Sequence, residues 1–313
     1  MDERSTADDA VGEDDLGAGV ADPWGVPSVV HLRGAGASLL LLAEAPDAPR
    51  VLHWGGDLGD LSVDETEALA LAASAGAGDG AAPGSPLLLG PTDLQDEDAD
   101  VGGPGLLVTA AAPGAVPPPV TLVRTAASLG VTATGSQRLV VRAQDAALGV
   151  RVTTEVELDA AGVLRLGATA AARPDGPVRL RGLRLLLPVP DVGRQVLLDV
   201  GGRLRPARSL RPTSGPPASA GRRGDAVVVQ TAGPGTEELW AMATAAGRGA
   251  RAGAAPRAVR AARLPGGPLG LVVGADASAA DGVLRWTTPA VVAVHGRSWP
   301  DVRRRLDAAL GPG

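Results

Sequence analysis

From Pro27 onward the chain alternates short apolar runs with glycine and proline breaks, a pattern that predicts one β-strand after another. Residues 29–32 and 38–43 flank Gly34, Ala35 and Gly36 and predict a hairpin. Residues 50–54 predict the next strand. The clearest alternation runs over residues 151–158. Val152, Thr154, Val156 and Leu158 share one face, and Arg151, Thr153, Glu155 and Glu157 share the other. A period of two with one polar face marks a half-exposed antiparallel strand. A turn at 159–162 leads into a partner strand at 163–166. Leu180, Leu183 and Leu185 alternate with arginines before Pro188, and runs at 226–230, 239–243, 269–273 and 290–294 continue the series.

Two segments read as helices. Ser62 followed by Glu65 forms a capping box, in which the hydroxyl accepts from the Glu65 amide and the carboxylate reaches back. Leu69 and Leu71 follow. Near the end, Ser298, Trp299, Pro300 and Asp301 open a helix over 302–310, with Val302, Leu306 and Leu310 four residues apart. Residues 76–86, 102–119, 212–224 and 247–256 are rich in Gly, Pro and Ala and read as long loops. No fixed internal period suggests a repeat array. Many short strands with few helices predict an all-β fold, a large antiparallel β-sandwich with a short C-terminal helix. Three segments follow: a disordered acidic tail at 1–24, the β-sandwich at 25–297, and a C-terminal linker helix at 298–313.

Composition changes this picture in one respect. Phe, Tyr and Cys are absent, as are Ile, Lys and Asn, so the core must be built from Leu, Val and Ala around a few of the five tryptophans. A G/C-rich gene accounts for that bias; a restricted alphabet or a decayed reading frame would give the same composition. Without Cys there are no disulfides and no thiolate metal site. The acidic start has no apolar region behind it, and no run approaches the ~20 apolar residues of a membrane span. A soluble, cytoplasmic chain is expected. Net charge is −6. Arg203, Arg205, Arg208, Arg211, Arg222 and Arg223 make one basic segment, but no aromatics interleave it as a nucleic-acid surface requires. The acidic cluster Asp93, Asp96, Glu97, Asp98 and Asp100 lacks the register of a calcium-binding loop and reads as solvated surface. Lysine-dependent phosphate loops and the Gly-x-Ser-x-Gly nucleophile elbow are excluded.

The segment with most chemical content is 51–61, where His53 and Trp54 end an apolar run and Gly55, Gly56 and Asp57 follow. It resembles the His-Trp-Gly signature in the amino-terminal β-sandwich of family 36 glycoside hydrolases, the α-galactosidases. Other elements resemble that family in the same order over residues 28–310. They are Gly102 to Leu106, the strand pair from Asp145 to Val163, Leu186 to Pro190, Asp199 through Arg211, and Thr288-Pro289 before the last strand. Ala207-Arg208 stands where the family carries Glu-Arg, and Ala246-Gly247-Arg248 where it carries Ser-Gly-Asn.

The resemblance implies a supersandwich of the galactose-mutarotase-like kind. It also implies the hydrolysis of terminal α-D-galactosyl residues by the full-length family. The two catalytic carboxylates of that family belong to a barrel that follows the sandwich, and Gly313 falls where it would begin. No catalytic residue is therefore carried over, and no cofactor or metal is expected. The partner is an α-galactoside oligosaccharide or a catalytic barrel domain. A non-catalytic carbohydrate-binding or assembly module and an inactive degenerate copy are the alternatives. An apolar face left near the C-terminal helix, with Trp286, Trp299, Val302 and Leu306 converging, is expected to promote self-association into a homo-oligomer.

Trp54 and Asp57 are the candidate carbohydrate contacts, and each has a structural alternative. Trp54 offers a flat stacking face or fills the core with its indole N–H on a backbone carbonyl. Asp57 bonds a sugar hydroxyl or caps its own turn. His31 reads as a satisfied buried histidine. His295 ends a strand with no second metal-type ligand near it in sequence.

Overall fold

The computed structural model describes residues 29–43, 49–75, 105–117, 119–189, 194–200, 203–206, 219–220, 226–231, 238–244, 259–263, 269–276, 282–288 and 290–311. The expected acidic tail, the acidic cluster at 93–100, the loops at 76–86 and 247–256, and most of the basic segment lie outside these residues.

The chain folds as a large antiparallel β-sandwich with a C-terminal helix. The first hairpin is β1 (Val29–Gly34) and β2 (Ala37–Leu42), and with β3 (Arg50–Gly56) it makes a small sheet. The larger sheet begins with β5 (Val123–Val131), β6 (Gln137–Asp145), β7 (Val150–Leu158) and β8 (Val163–Ala172). It continues in space, not in sequence, through β18 (Val291–Gly296), β14 (Glu238–Thr244), β13 (Ala226–Thr231), β10 (Arg194–Val200) and β11 (Arg203–Pro206), with β17 (Arg285–Thr287) also on β8. The facing sheet runs β12 (Ser219–Ala220), β15 (Val259–Arg263), β16 (Leu269–Asp276), β9 (Val178–Val189) and β4 (Leu106–Ala110). Every strand pairing is antiparallel among the described residues.

Side-chain alternation decides which layer each residue enters. On β7 Val152, Thr154, Val156 and Leu158 are buried, and Arg151 and Glu155 are exposed, as the period of two requires. The main core takes Val152 and Val156 from β7, Leu164 and Leu166 from β8, Leu180, Leu183, Leu185 and Leu187 from β9, and Trp54 from β3. Strands β13 and β14 are buried on both faces. Val227, Val229, Trp240 and Met242 enter the main core, and Ala226, Val228, Leu239, Ala241 and Ala243 enter a second one. This two-sided burial explains the unbroken apolar run of β13.

Helix α1 (Val63–Ala75) begins as its sequence predicts. The Ser62 hydroxyl accepts from the Glu65 amide at 3.2 Å, and the Glu65 carboxylate accepts from the Ser62 amide at 2.8 Å. Leu69 and Leu71 are exposed on it. Helix α2 (Trp299–Leu310) covers the second core with Val302 and Leu306, both buried. The expected exposed apolar face is thereby corrected. Its two aliphatic residues are consumed within the chain, Trp299 packs beside them, and Trp286 packs instead against the main core from β17. Nearness in sequence misled here, because β18 separates the two tryptophans.

No helix among the described residues is long and apolar enough to cross a membrane.

Candidate functional site

The residues singled out by sequence converge at one end of the sandwich, where β3 ends beside the β1–β2 turn. Glycine fixes the approach of two turns there. Gly162, between β7 and β8, has φ +74°, and a Cβ on it would stand 2.5 Å from the Ala35 carbonyl oxygen. The Ala35 amide donates to the Ala160 carbonyl at 3.0 Å, so the turns are held back to back.

Asp57, just past β3, is tied down on several sides. Its carboxylate takes the Arg33 guanidinium in a forked pair at 3.0 and 3.1 Å. It also accepts from the Ser38 hydroxyl at 3.1 Å and the Gly59 amide at 3.0 Å. The Arg33 hydrogen bonds, with help from the Gly59 amide and Ser38, hold its carboxyl down at about 2. The side chain remains 34% exposed. Arg33 also pairs with Asp60. Asp57 thus caps its own turn, and its outer surface faces solvent.

Ser38 is fully buried beneath it. Its oxygen lies 3.0 Å from Nε2 of His31 and accepts from the Leu58 amide at 3.0 Å. Because Ser38 donates its proton to Asp57, the His31 ring nitrogen facing it carries hydrogen and donates. The order is histidine, serine, aspartate, so the histidine withdraws no proton from the hydroxyl, unlike a nucleophilic triad.

Trp54 is 2% exposed and belongs to the main core. Its indole N–H has no hydrogen-bond partner among the described residues, whereas its backbone carbonyl accepts from the Trp240 indole N–H at 3.0 Å. The carbonyl-bound indole envisaged for Trp54 is thus found on Trp240. His53 bonds the Gly56 carbonyl through Nε2 at 3.1 Å, and burial lowers its pKa. His295, at the end of β18, is 3% exposed. Its ring lies 5.2 Å from the Trp240 ring and its Nε2 3.8 Å from the Glu238 carboxylate. Burial, with the charges of His53, Arg305 and Arg297, pushes its pKa down to about 4. The chain's three histidines thus gather from three strands. His295 and Trp240 were missed as partners of His53 and Trp54 because they come from β18 and β14. No group of His, Asp or Glu among the described residues is arranged to hold a metal.

A cleft of about 740 Å³ opens over this end. Ala35 and Gly36, Gly56 and Asp57, and His295 to Arg297 line it, together with Ala161, Asp301, Arg304 and Arg305. Arg305 is committed to the Asp301 carboxylate at 2.9 Å and the His295 carbonyl at 2.7 Å, and Arg304 also pairs with Asp301.

Comparison with solved structures gives the fold a counterpart. An AgaA α-galactosidase variant from Geobacillus stearothermophilus, in complex with 1-deoxygalactonojirimycin, superposes with a TM-score of 0.56 over 88% of this chain at 15% identity. AgaB from the same organism gives 0.55 over 88% at 15% identity. The galactosidase domain of the α-galactosidase-sucrose kinase AgaSK gives 0.54 over 86% at 13% identity. The fold is one found in family 36 α-galactosidases. This chain spans about 41% of the AgaA chain, 40% of the AgaB chain and 41% of the AgaSK domain. No family model and no curated protein matches the sequence.

Proposed function

We propose that this chain is the amino-terminal β-sandwich domain of a family 36-type α-galactosidase, working with a catalytic barrel on terminal α-galactosides and not hydrolysing them alone. The supporting observation is the match of 88% of this chain to 41% of an α-galactosidase, with Gly56 and Asp57, which follow the His-Trp-Gly segment, lining a cleft. A retaining glycosidase needs one carboxyl group protonated as acid and another free as nucleophile. The two carboxylates lining this cleft are both held by arginines, and Asp57, at about 2, is ionised at neutral pH. That observation supports the non-catalytic part of this reading, which a second reading shares: a non-catalytic carbohydrate-binding or assembly module beside a separately encoded barrel. Cytoplasmic location belongs to the same proposal, and so does self-association into a homo-oligomer, through a surface other than the buried face of α2.

Sugar contact in this reading falls to Asp57, whose carboxylate can accept from a hydroxyl at the rim, with Trp54 supporting the glycine joint from below. Raffinose titration followed by tryptophan fluorescence tests it on the native chain and on Asp57→Ala. A saturable change in the millimolar range, lost in the variant, is expected; no saturable change in the native chain removes the carbohydrate role. Release of nitrophenol from a nitrophenyl α-galactoside by the purified chain would overturn the non-catalytic assignment.

A further inference from the structure

The large sheet ends in an open edge at β5. Among the described residues β5 pairs only with β6 and is the terminal strand of that sheet. Directly opposed residues of an antiparallel pair share a face. Ala127 lies opposite Val141 and Leu129 opposite Leu139, and both of these β6 residues belong to the main core. The core-facing side of β5 therefore carries Ala127, Leu129 and, two residues on, Val131. The core does not cover the last two. Leu139 is fully buried, but Leu129 is 43% exposed and Val131 is 71% exposed.

Sheet edges are usually blunted by lysine, proline, an inward charge or a bulge. β5 has no lysine, no proline and no carboxylate. Its one charged side chain, Arg124, donates to the Ala43 carbonyl, and its bulge lies between Arg124 and Ala126. Residues 126–131 lie beyond both and are uncharged, and the outer face they present is small, made by Ala126, Ser128 and Gly130. A strip without charge selects no charged partner, and two copies of it meet with no like charges opposed. The strip also matches itself. About a twofold axis at Leu129, antiparallel pairing sets Leu129 against Leu129 of a second copy, Ala127 against Val131, and Ser128 against Gly130. Each apolar core-side residue then meets another. We infer that β5 is the contact surface for a second copy of this chain, the two large sheets joining edge to edge across a twofold axis. This pairing rests on the self-association proposed above and gives it a surface.

The test is sedimentation of the full chain over a concentration series, which is expected to show a reversible monomer–dimer equilibrium. Leu129→Lys and Val131→Lys change exposed side chains and should melt as the native chain does. Each is expected to weaken the dimer about tenfold or more, because a lysine blocks an edge. The chain has no cysteine, so single introduced thiols read the register. Leu129→Cys is expected to give a disulfide-linked dimer under mild oxidation, since the two positions face each other at the axis. Val131→Cys, though more exposed, stands roughly 14 Å from its own copy, beyond disulfide reach, and is expected to link far more slowly. A dimer that both lysine variants leave unweakened, or thiols that link as fast at 131 as at 129, overturns the β5 pairing and leaves self-association standing on another surface. A chain that stays monomeric at every concentration overturns both, and the raffinose titration still decides the carbohydrate role.

Discussion

The indole N–H of Trp240 donates to the backbone carbonyl of Trp54 at 3.0 Å, across a sequence separation of 186 residues. This bond anchors the His-Trp-Gly strand β3 to the centre of the large sheet. It also gives the buried Trp240 indole N–H its partner.

Trp240→Phe keeps most of the ring and deletes the donor. The expected cost is about 1–3 kcal/mol, from the lost hydrogen bond and a small loss of packing. Urea melts should show a lower midpoint with an unchanged slope. An unchanged midpoint would mean that the bond contributes nothing net.

Two glycines near the cleft separate conformational strain from collision. Both Gly36 and Gly162 have positive φ, at +69° and +74°. A Cβ on Gly36 meets nothing within 4 Å, but one on Gly162 meets the Ala35 carbonyl at 2.5 Å. Gly36→Ala should therefore cost about 1–2 kcal/mol, the backbone term alone. Gly162→Ala should cost clearly more, because a turn must move as well. Equal thermal shifts for the two variants would contradict the back-to-back turns.

Acid should unfold the chain earlier than its carboxylates alone require. The folded pKa of His295 lies near 4, below the ordinary 6.5, so the unfolded chain takes up the proton first. Stability is complete above pH ~6.5 and is lost as pH falls toward 4, by up to about 3 kcal/mol from this residue. The facing groups are His53, Arg297 and Arg305, which oppose its protonation, and Glu238, which stands 3.8 Å away. His53 and His31 are lowered in the same direction. Asp57 contributes only at lower pH, as its carboxyl titrates between its ordinary value and about 2. In His295→Gln the stability curve should flatten between pH 6.5 and 4. A slope as steep as that of the native chain would assign the effect elsewhere.

Leu306→Ala tests the docking of α2. The side chain is 1% exposed in the second core, and its truncation should cost about 2–5 kcal/mol. Dye binding should then reveal the apolar face that the native chain hides.

The fold was readable where a strand has one wet face. The alternation on β7, the hairpin into β8 and the capping box of α1 all follow from local chemistry. So did the sandwich, through the order of the family-like elements. Strand β4 was not readable, because Leu106–Ala110 lies in a stretch dense in glycine and proline that passes for loop. Its identity comes from pairing with β9. The placement of α2 depends on β14 and β18, whose outer faces needed a cover that neither strand announces. The site was half visible. His53 and Trp54 are neighbours in sequence, but Trp240 and His295 reach them only through the pairing of β14 with β18.

The position of β18 also governs how the molecule can be made. Residues 291–296 form the strand latest in sequence among the described residues, yet they lie between β8 and β14 in the large sheet. Until they arrive, a growing chain holds two half-sheets with raw, largely apolar inner edges, open to strands from other molecules. Those edges close only through a contact between distant parts of the sequence, the slow class of folding event. A chain folding before β18 docks would therefore pass through a sticky intermediate. Its fate would depend on chaperone supply and temperature more than on the stability of the finished sandwich.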